Sequence, residues 1–216
     1  MKTDTQLKND VMEELEWSPA VTAGDIKVAA HDGVVTLSGT VPHYAEKRAA
    51  ERAAQRVTGV KAIAEDMTVD LDGIFKRDDS DVAQSVVSSL GWHVLVPKNV
   101  QATVEKGWVT LSGNAQWEYQ RSAAGEAVRH LFGVKGISND IVLHSSVKAS
   151  AVKDTIEKTF KRDAELDAKN IFVSIDGDKV TLTGTVDTWD QRVEAGAAAW
   201  STAGVTAVAN DLVISY

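Results

Sequence analysis

Apolar residues recur four apart in three stretches of the chain: Leu7, Val11 and Leu15; Val82, Val86 and Leu90; Val152, Ile156 and Phe160. That spacing lays one stripe along an α-helix. Thr5, Ser80 and Ser150 fall one residue before the first turns, where a hydroxyl can accept from an orphan backbone N–H, so they are the expected caps. Beyond each helix the period drops to two, with Ile26, Val28, Ala30, then Val100, Ala102, Val104, then Ile171, Val173, Ile175, the signature of a half-buried strand. Asp32-Gly33, Lys106-Gly107 and Gly177-Asp178 follow and predict tight hairpin turns. The returning strand places Val35, Leu37 and Gly39 on one face and Thr36, Ser38 and Thr40 on the other, and its counterparts carry Val109, Leu111, Gly113 and Val180, Leu182, Gly184. One face apolar and one polar implies a sheet covered by helices on a single side. Ala-rich runs at 44–57, 117–131 and 189–202 predict a second helix. A last strand carries Met67, Val69 and Leu71, then Ile141 and Leu143, then Leu212 and Ile214. Asp66, Asp140 and Asp211 recur just before it and read as turn residues accepting backbone N–H bonds.

The pattern is one module written three times. GVVTLSG at 33–39 returns as GWVTLSG at 107–113 and DKVTLTG at 178–184, and Gly59-Val60, Gly133-Val134 and Gly204-Val205 keep the same step. The expected class is α+β: three tandem α-β-β-α-β modules over 3–72, 78–145 and 147–216, each a small mixed three-stranded sheet with two helices on one face. Gly39, Gly113 and Gly184 are read as structural glycines, positions where the second helix, through small residues such as Ala49, Ala50, Ala53 and Ala54, approaches the sheet closely. Near 70 residues each copy buries only a small core, so contacts between modules are expected to add stability.

The element order, the hairpin signature G-x-V-T-L-[ST]-G and the later Gly-Val together resemble the BON family, named for bacterial osmotically inducible and nodulation proteins; the resemblance spans nearly the whole chain. It implies a non-catalytic module linked to osmotic or envelope stress that contacts phospholipid surfaces.

Composition narrows the chemistry. With no Cys, disulfides, thiolate nucleophiles and thiolate metal sites are excluded. His31, His43, His93, His130 and His144 lack H-x-x-x-H spacing and do not recur between copies, so no metal and no cofactor is expected. Ser38 and Ser112 lack a nucleophile-elbow context and Thr183 replaces them in the third copy, which argues against an enzyme. A net charge of -8 and the missing G-x-x-G clamp of a KH module argue against nucleic acid. No apolar run is long enough to span a membrane, and the opening MKTDTQLKND does not resemble a signal peptide, so the expected compartment is the cytoplasm, or the periplasm if a signal was removed.

The middle module differs from its sisters. Net charges over 1–72, 73–146 and 147–216 are -5, 0 and -3, and three of the six Trp fall in the middle copy. Trp108 stands where the sisters have Val34 and Lys179, on the strand face that points away from the helices. Trp108, Trp117, Tyr119, Arg121 and Arg129 are therefore the candidate binding residues, since Trp concentrates at protein interfaces and at lipid headgroup level. Lys47, Arg121 and Arg192 recur near the start of the second helix as a weaker anion-site candidate. Two partner classes follow: a phospholipid surface, or a protein partner of a scaffold that includes further copies of the chain.

Overall fold

The computed structural model describes residues 2–71, 77–144, 170–202 and 204–215. Module one runs α1 (Asp4–Trp17), β1 (Ile26–His31), β2 (Val34–Val41), α2 (Tyr44–Arg56) and β3 (Ala62–Val69). Module two runs α3 (Asp79–Trp92), β4 (Gln101–Glu105), β5 (Trp108–Ser112), β6 (Asn114–Ala115), α4 (Glu118–Arg129), β7 (Gly136–Asn139) and β8 (Val142–Leu143). Module three contributes β9 (Ile171–Asp176), β10 (Lys179–Val186), α5 (Trp189–Trp200) and β11 (Ala207–Ile214). The helix expected from Val152, Ile156 and Phe160, with Ser150 at its cap, lies outside the described residues.

Each three-stranded sheet has the returning hairpin strand in the middle: β2 pairs antiparallel with β1 and parallel with β3, and the same holds for β5 with β4 and β7 and for β10 with β9 and β11, while β6 pairs parallel with β8. The parallel pairing needs a crossover, which the second helix of each module supplies. Val35 and Leu37, Val109 and Leu111, and Val180 and Leu182 are fully buried beneath the helices, as their alternation requires. The first helices add Leu7, Val11, Leu15 and Val82, Val86, Leu90 to the first two cores.

The helix caps differ from expectation. Thr3 caps α1 in a reciprocal pair with Gln6, the hydroxyl accepting from the Gln6 N–H at 3.2 Å and the Gln6 Oε1 accepting from the Thr3 N–H at 2.9 Å. Asp78 caps α3, accepting from the Asp81 N–H at 2.8 Å. Thr5 and Ser80 lie inside the first turns, and the Ser80 hydroxyl donates to Asp78. The helices start earlier because a reciprocal Gln or a carboxylate satisfies more orphan donors than a lone hydroxyl.

The glycines have a different neighbour from the expected one. Gly39, Gly113 and Gly184 have φ of 137°, 124° and 119°, and a Cβ there would run into the carbonyl oxygen of Asp25, Asn99 or Asn170, at the entry to the first strand of the same sheet. The close approach is between the two hairpin strands, not between sheet and second helix. The parity of the strand was legible, but the register was not: Gly39 pairs with Ile26 and Gly184 with Ile171, the first residues of β1 and β9, so the preceding carbonyl lies against each glycine.

The last strand also begins sooner, at Ala62, Gly136 and Ala207, so Asp66 and Asp211 lie within β3 and β11 rather than in a turn. Asp140 sits in the break between β7 and β8, its N–H donating to the Leu111 carbonyl at 2.8 Å. Parallel pairing starts at Val34↔Ala62, where Ala-Ile-Ala-Glu carries no alternation to reveal a strand.

The three modules share a seam. α2 and α5 touch, and Tyr44 from module one and Trp200 from module three both pack on the core of the middle module.

Candidate functional site

The five candidate binding residues fall in three places. Trp108 is half exposed on the outer face of the middle sheet, its ring over Gly136 on the neighbouring strand and its Nε1 donating to the Ser138 hydroxyl at 2.9 Å. Trp117 and Tyr119 stand at the start of α4 with rings stacked at 6.4 Å, lining a groove against α5 with Val193, Ala197 and Trp200. Arg121 and Arg129 belong to the seam. The Arg121 guanidinium lies 5.0 Å from the Trp200 ring centre and pairs with Glu118 at 2.6 Å. Arg129 pairs with Glu126 at the far end of α4 and lines a small cavity with His43, Tyr44 and His130. Burial pushes the Arg129 guanidinium below its ordinary pKa, an effect that Glu126 opposes and that Arg52 and Arg48 of module one reinforce.

Two of the recurrent bases, Lys47 and Arg192, are tied down by their own modules, whereas the Arg121 guanidinium reaches Trp200 of module three. The Lys47 Nζ donates to the Met67 carbonyl at 3.0 Å and faces Glu65 at 3.5 Å. Arg192 donates to the Asn210 carbonyl at 2.7 Å, while Asn210 and Asn139 donate back to the Arg192 and Arg121 carbonyls at 2.6 and 2.7 Å. The second helix is thus stitched to the last strand at matching positions in every copy. Lys47 and Arg192 direct their charged groups into that stitch, whereas Arg121 joins it only through its backbone carbonyl.

Other exposed groups escaped the sequence reading. Trp92 and Val94 are 90% and 95% exposed, and Leu95 is 46% exposed beside them. The end of α3 and the turn after it produce this: Val96 packs on the core and donates its N–H to the His93 carbonyl, which turns Val94 and Leu95 outward. Trp17, in the matching position of module one, is 80% exposed. The available signal was register, since Trp92 lies two residues beyond Leu90 and off the buried stripe.

At the hairpin tips, the Asp79 carboxylate accepts from the Lys106 and Gly107 N–H groups at 2.7 and 2.9 Å, and Asp4 accepts from the Asp32 N–H at 2.9 Å. The latter contact brings Asp4, His31 and Asp32 together in the open, His31 lying 3.4 and 3.5 Å from the two carboxylates. Asp4 already serves as a turn clamp there, as Asp79 does in the second module.

Among the described residues, no helix is long and apolar enough to cross a membrane.

Known proteins place this architecture. Over 126 residues the chain is 29% identical to osmotically-inducible protein Y of Escherichia coli K12, a match spanning 56% of this chain and 63% of that relative's length. Two solved structures of CdsD, a structural protein of the type III secretion system of Chlamydia trachomatis, align over 96% and 100% of this chain and 91% and 100% of theirs. Both are 18% identical, with TM-scores of 0.26 and 0.27, a likeness too distant to carry an argument. The BON domain model matches three times, over residues 3–70, 78–144 and 148–216. With each match falling on one copy of the repeated unit, the chain belongs to the BON domain family.

Proposed function

We propose that this chain is a non-enzymatic, stress-associated BON protein that contacts phospholipid surfaces through the turn after α3. The observation that carries the reading is the exposure of Trp92, Val94 and Leu95 as one apolar protrusion. Side chains of this kind cost free energy in water and gain it at a bilayer interface, where the Trp ring sits at headgroup level with its N–H hydrated. Charge favours the middle module for this role. The acidic residues of α3 are Asp79 and Asp81 in its first turn, and its last turns carry Ser88, Ser89 and Gly91, whereas Trp17 follows Glu13, Glu14 and Glu16. An anionic surface repels the second arrangement and tolerates the first, with Lys98 near the protrusion adding attraction of about 1 kcal/mol. The non-enzymatic reading is supported by Ser38, Ser112 and Thr183, which lie on open outer sheet faces rather than in a cleft. Similarity to an osmotically inducible relative supports the link to stress.

Co-sedimentation of the full chain with liposomes of graded anionic content tests the proposal. Binding is expected to rise with anionic lipid, to fall in high salt and to be lost in Trp92→Ala combined with Leu95→Ser while the fold stays intact. Binding that ignores those substitutions defeats the assignment.

A second reading, a self-associating or protein-binding scaffold, has its own support in the groove between α4 and α5, where Trp117, Tyr119, Val193 and Trp200 offer an apolar slot to a second copy of the chain. Sedimentation velocity of the chain and of Tyr119→Ala, without liposomes, separates the two.

A further inference from the structure

A second surface, independent of the lipid reading, lies on the outer face of the middle sheet. Two rows of residues face outward there, set by the strand registers: Glu105, Trp108 and Gly136 in one, Thr103, Thr110 and Ser138 in the next. Trp108 leans over Gly136 and is fixed by its hydrogen bond to Ser138, which leaves an indole face half exposed beside a line of hydroxyls. Among the described residues, Thr103 and Thr110 make no side-chain hydrogen bond, and Lys106 and Lys135 at the same end carry no ion pair. Met67, Thr68 and Val69 of β3 close the opposite wall, giving an open groove of about 570 Å3 between modules one and two.

The sister modules show that this is a local arrangement. The cross-strand pair is Val34↔Ala62 in module one and Lys179↔Ala207 in module three, so only the middle copy pairs a large ring with a residue small enough to seat it. An aromatic platform held in place before any ligand arrives loses little entropy on binding.

We propose that this groove binds a saccharide bearing an acidic group. The apolar C–H face of a sugar ring carries slight positive charge and suits the negative face of the indole. Its hydroxyls find partners in Thr103 and Thr110, and its carboxylate or phosphate finds Lys106 and Lys135. Glu105 offsets one of those two lysines and Lys47 is occupied by Glu65, so the groove keeps a single surplus positive charge in a protein of net charge -8. A single acidic group seated between Lys106 and Lys135 matches that surplus.

Isothermal titration of the full chain with trigalacturonate, cellotriose, inorganic phosphate and AMP provides the test. Trigalacturonate is expected to bind best, more weakly as salt is raised. The double substitution Trp108→Val with Gly136→Ala, which copies the pair of module one and keeps the strands covered, should weaken that binding by about tenfold or more. Replacing both Lys106 and Lys135 by Ala should erase the preference for the acidic over the neutral trisaccharide. The proposal is overturned by absence of saccharide binding, by binding that survives the double substitution, or by phosphate or AMP binding as tightly as trigalacturonate. Trp92→Ala should leave the titration unchanged, which separates this groove from the lipid contact.

Discussion

The six-membered ring of Trp108 occupies the space that a side chain on Gly136 would need: any Cβ built there falls inside the ring's van der Waals envelope. The two residues are direct partners in the parallel pairing of β5 with β7. A glycine inside a strand is costly alone, because it loses backbone entropy and packs nothing. The indole lying across it compensates by covering the exposed backbone, as aromatics do for glycines in sheets. The pair therefore behaves as one unit, and it seats Trp108 on a face where the other copies carry Val34 and Lys179.

A thermodynamic cycle on the pair should show strong coupling. Trp108→Val alone uncovers Gly136, and Gly136→Ala alone displaces the ring. Each is expected to cost stability, whereas the double variant should recover about 1 kcal/mol relative to the sum of the singles. Chemical denaturation of the four proteins measures it; simple additivity contradicts the arrangement.

Gly113→Ala should destabilise by roughly 1 to 3 kcal/mol. Its φ of 124° is unfavourable for a side chain, and the new Cβ would sit 2.6 Å from the carbonyl oxygen of Asn99. Gly91, where nothing lies within 4 Å of a built Cβ, is the control: Gly91→Ala should be neutral or slightly stabilising, since it lies in α3. Equal midpoints for both variants would show that the hairpin does not close against Gly113.

Acid should weaken the cap of α3. Hydrogen bonds from the Asp81 N–H and then from the Ser80 hydroxyl hold the Asp78 pKa below its ordinary value of 3.8. A carboxyl with a lowered folded pKa contributes stability that is fully present above the unfolded value and is lost as pH falls through the folded one. Asp78→Ala is therefore expected to lower Tm at neutral pH, with the gap to the parent closing as pH drops below 3.8. Asp78→Ser, which keeps an acceptor but does not titrate, should show a gap that is smaller at neutral pH. A gap independent of pH would assign the effect to something other than this carboxylate.

The contact of Arg121 with Trp200 joins modules two and three, so its removal should loosen them more than it unfolds either. A guanidinium over an indole is worth about 0.5 to 2 kcal/mol. Arg121→Met and Trp200→Leu are expected to show coupling of that order in a double-mutant cycle and to split a single thermal transition into two. One unaltered transition with no coupling would mean that the seam gains its stability elsewhere, for example from Tyr44 on the middle core.

The repeated unit could be read from the chain because its determinants are local. Four-residue and two-residue apolar spacing report which face of a helix or strand avoids water, and Val11, Leu37, Val86, Leu111 and Leu182 are buried as their spacing requires. Asp32-Gly33 and Lys106-Gly107 form hairpin turns with positive φ at both positions, again from chemistry within two residues. What lay beyond reach involves groups distant in sequence. The neighbour of Gly39 is the carbonyl of Asp25, brought there by the pairing of Gly39 with Ile26 at the start of β1. Lys47 and Arg192 look like free cations until the last strand folds back and presents carbonyls to them. Arg121 and Arg129 looked like parts of one surface with Trp108, yet α4 points them at two different neighbours, because its two ends meet modules that are far apart in the chain. Composition drew attention to the tryptophans of the middle copy. Whether each indole covers a glycine, lines a seam or stands in water depends on which backbone it meets, and that is decided by the packing of sheets and modules, where burial is shared among residues that no local pattern links.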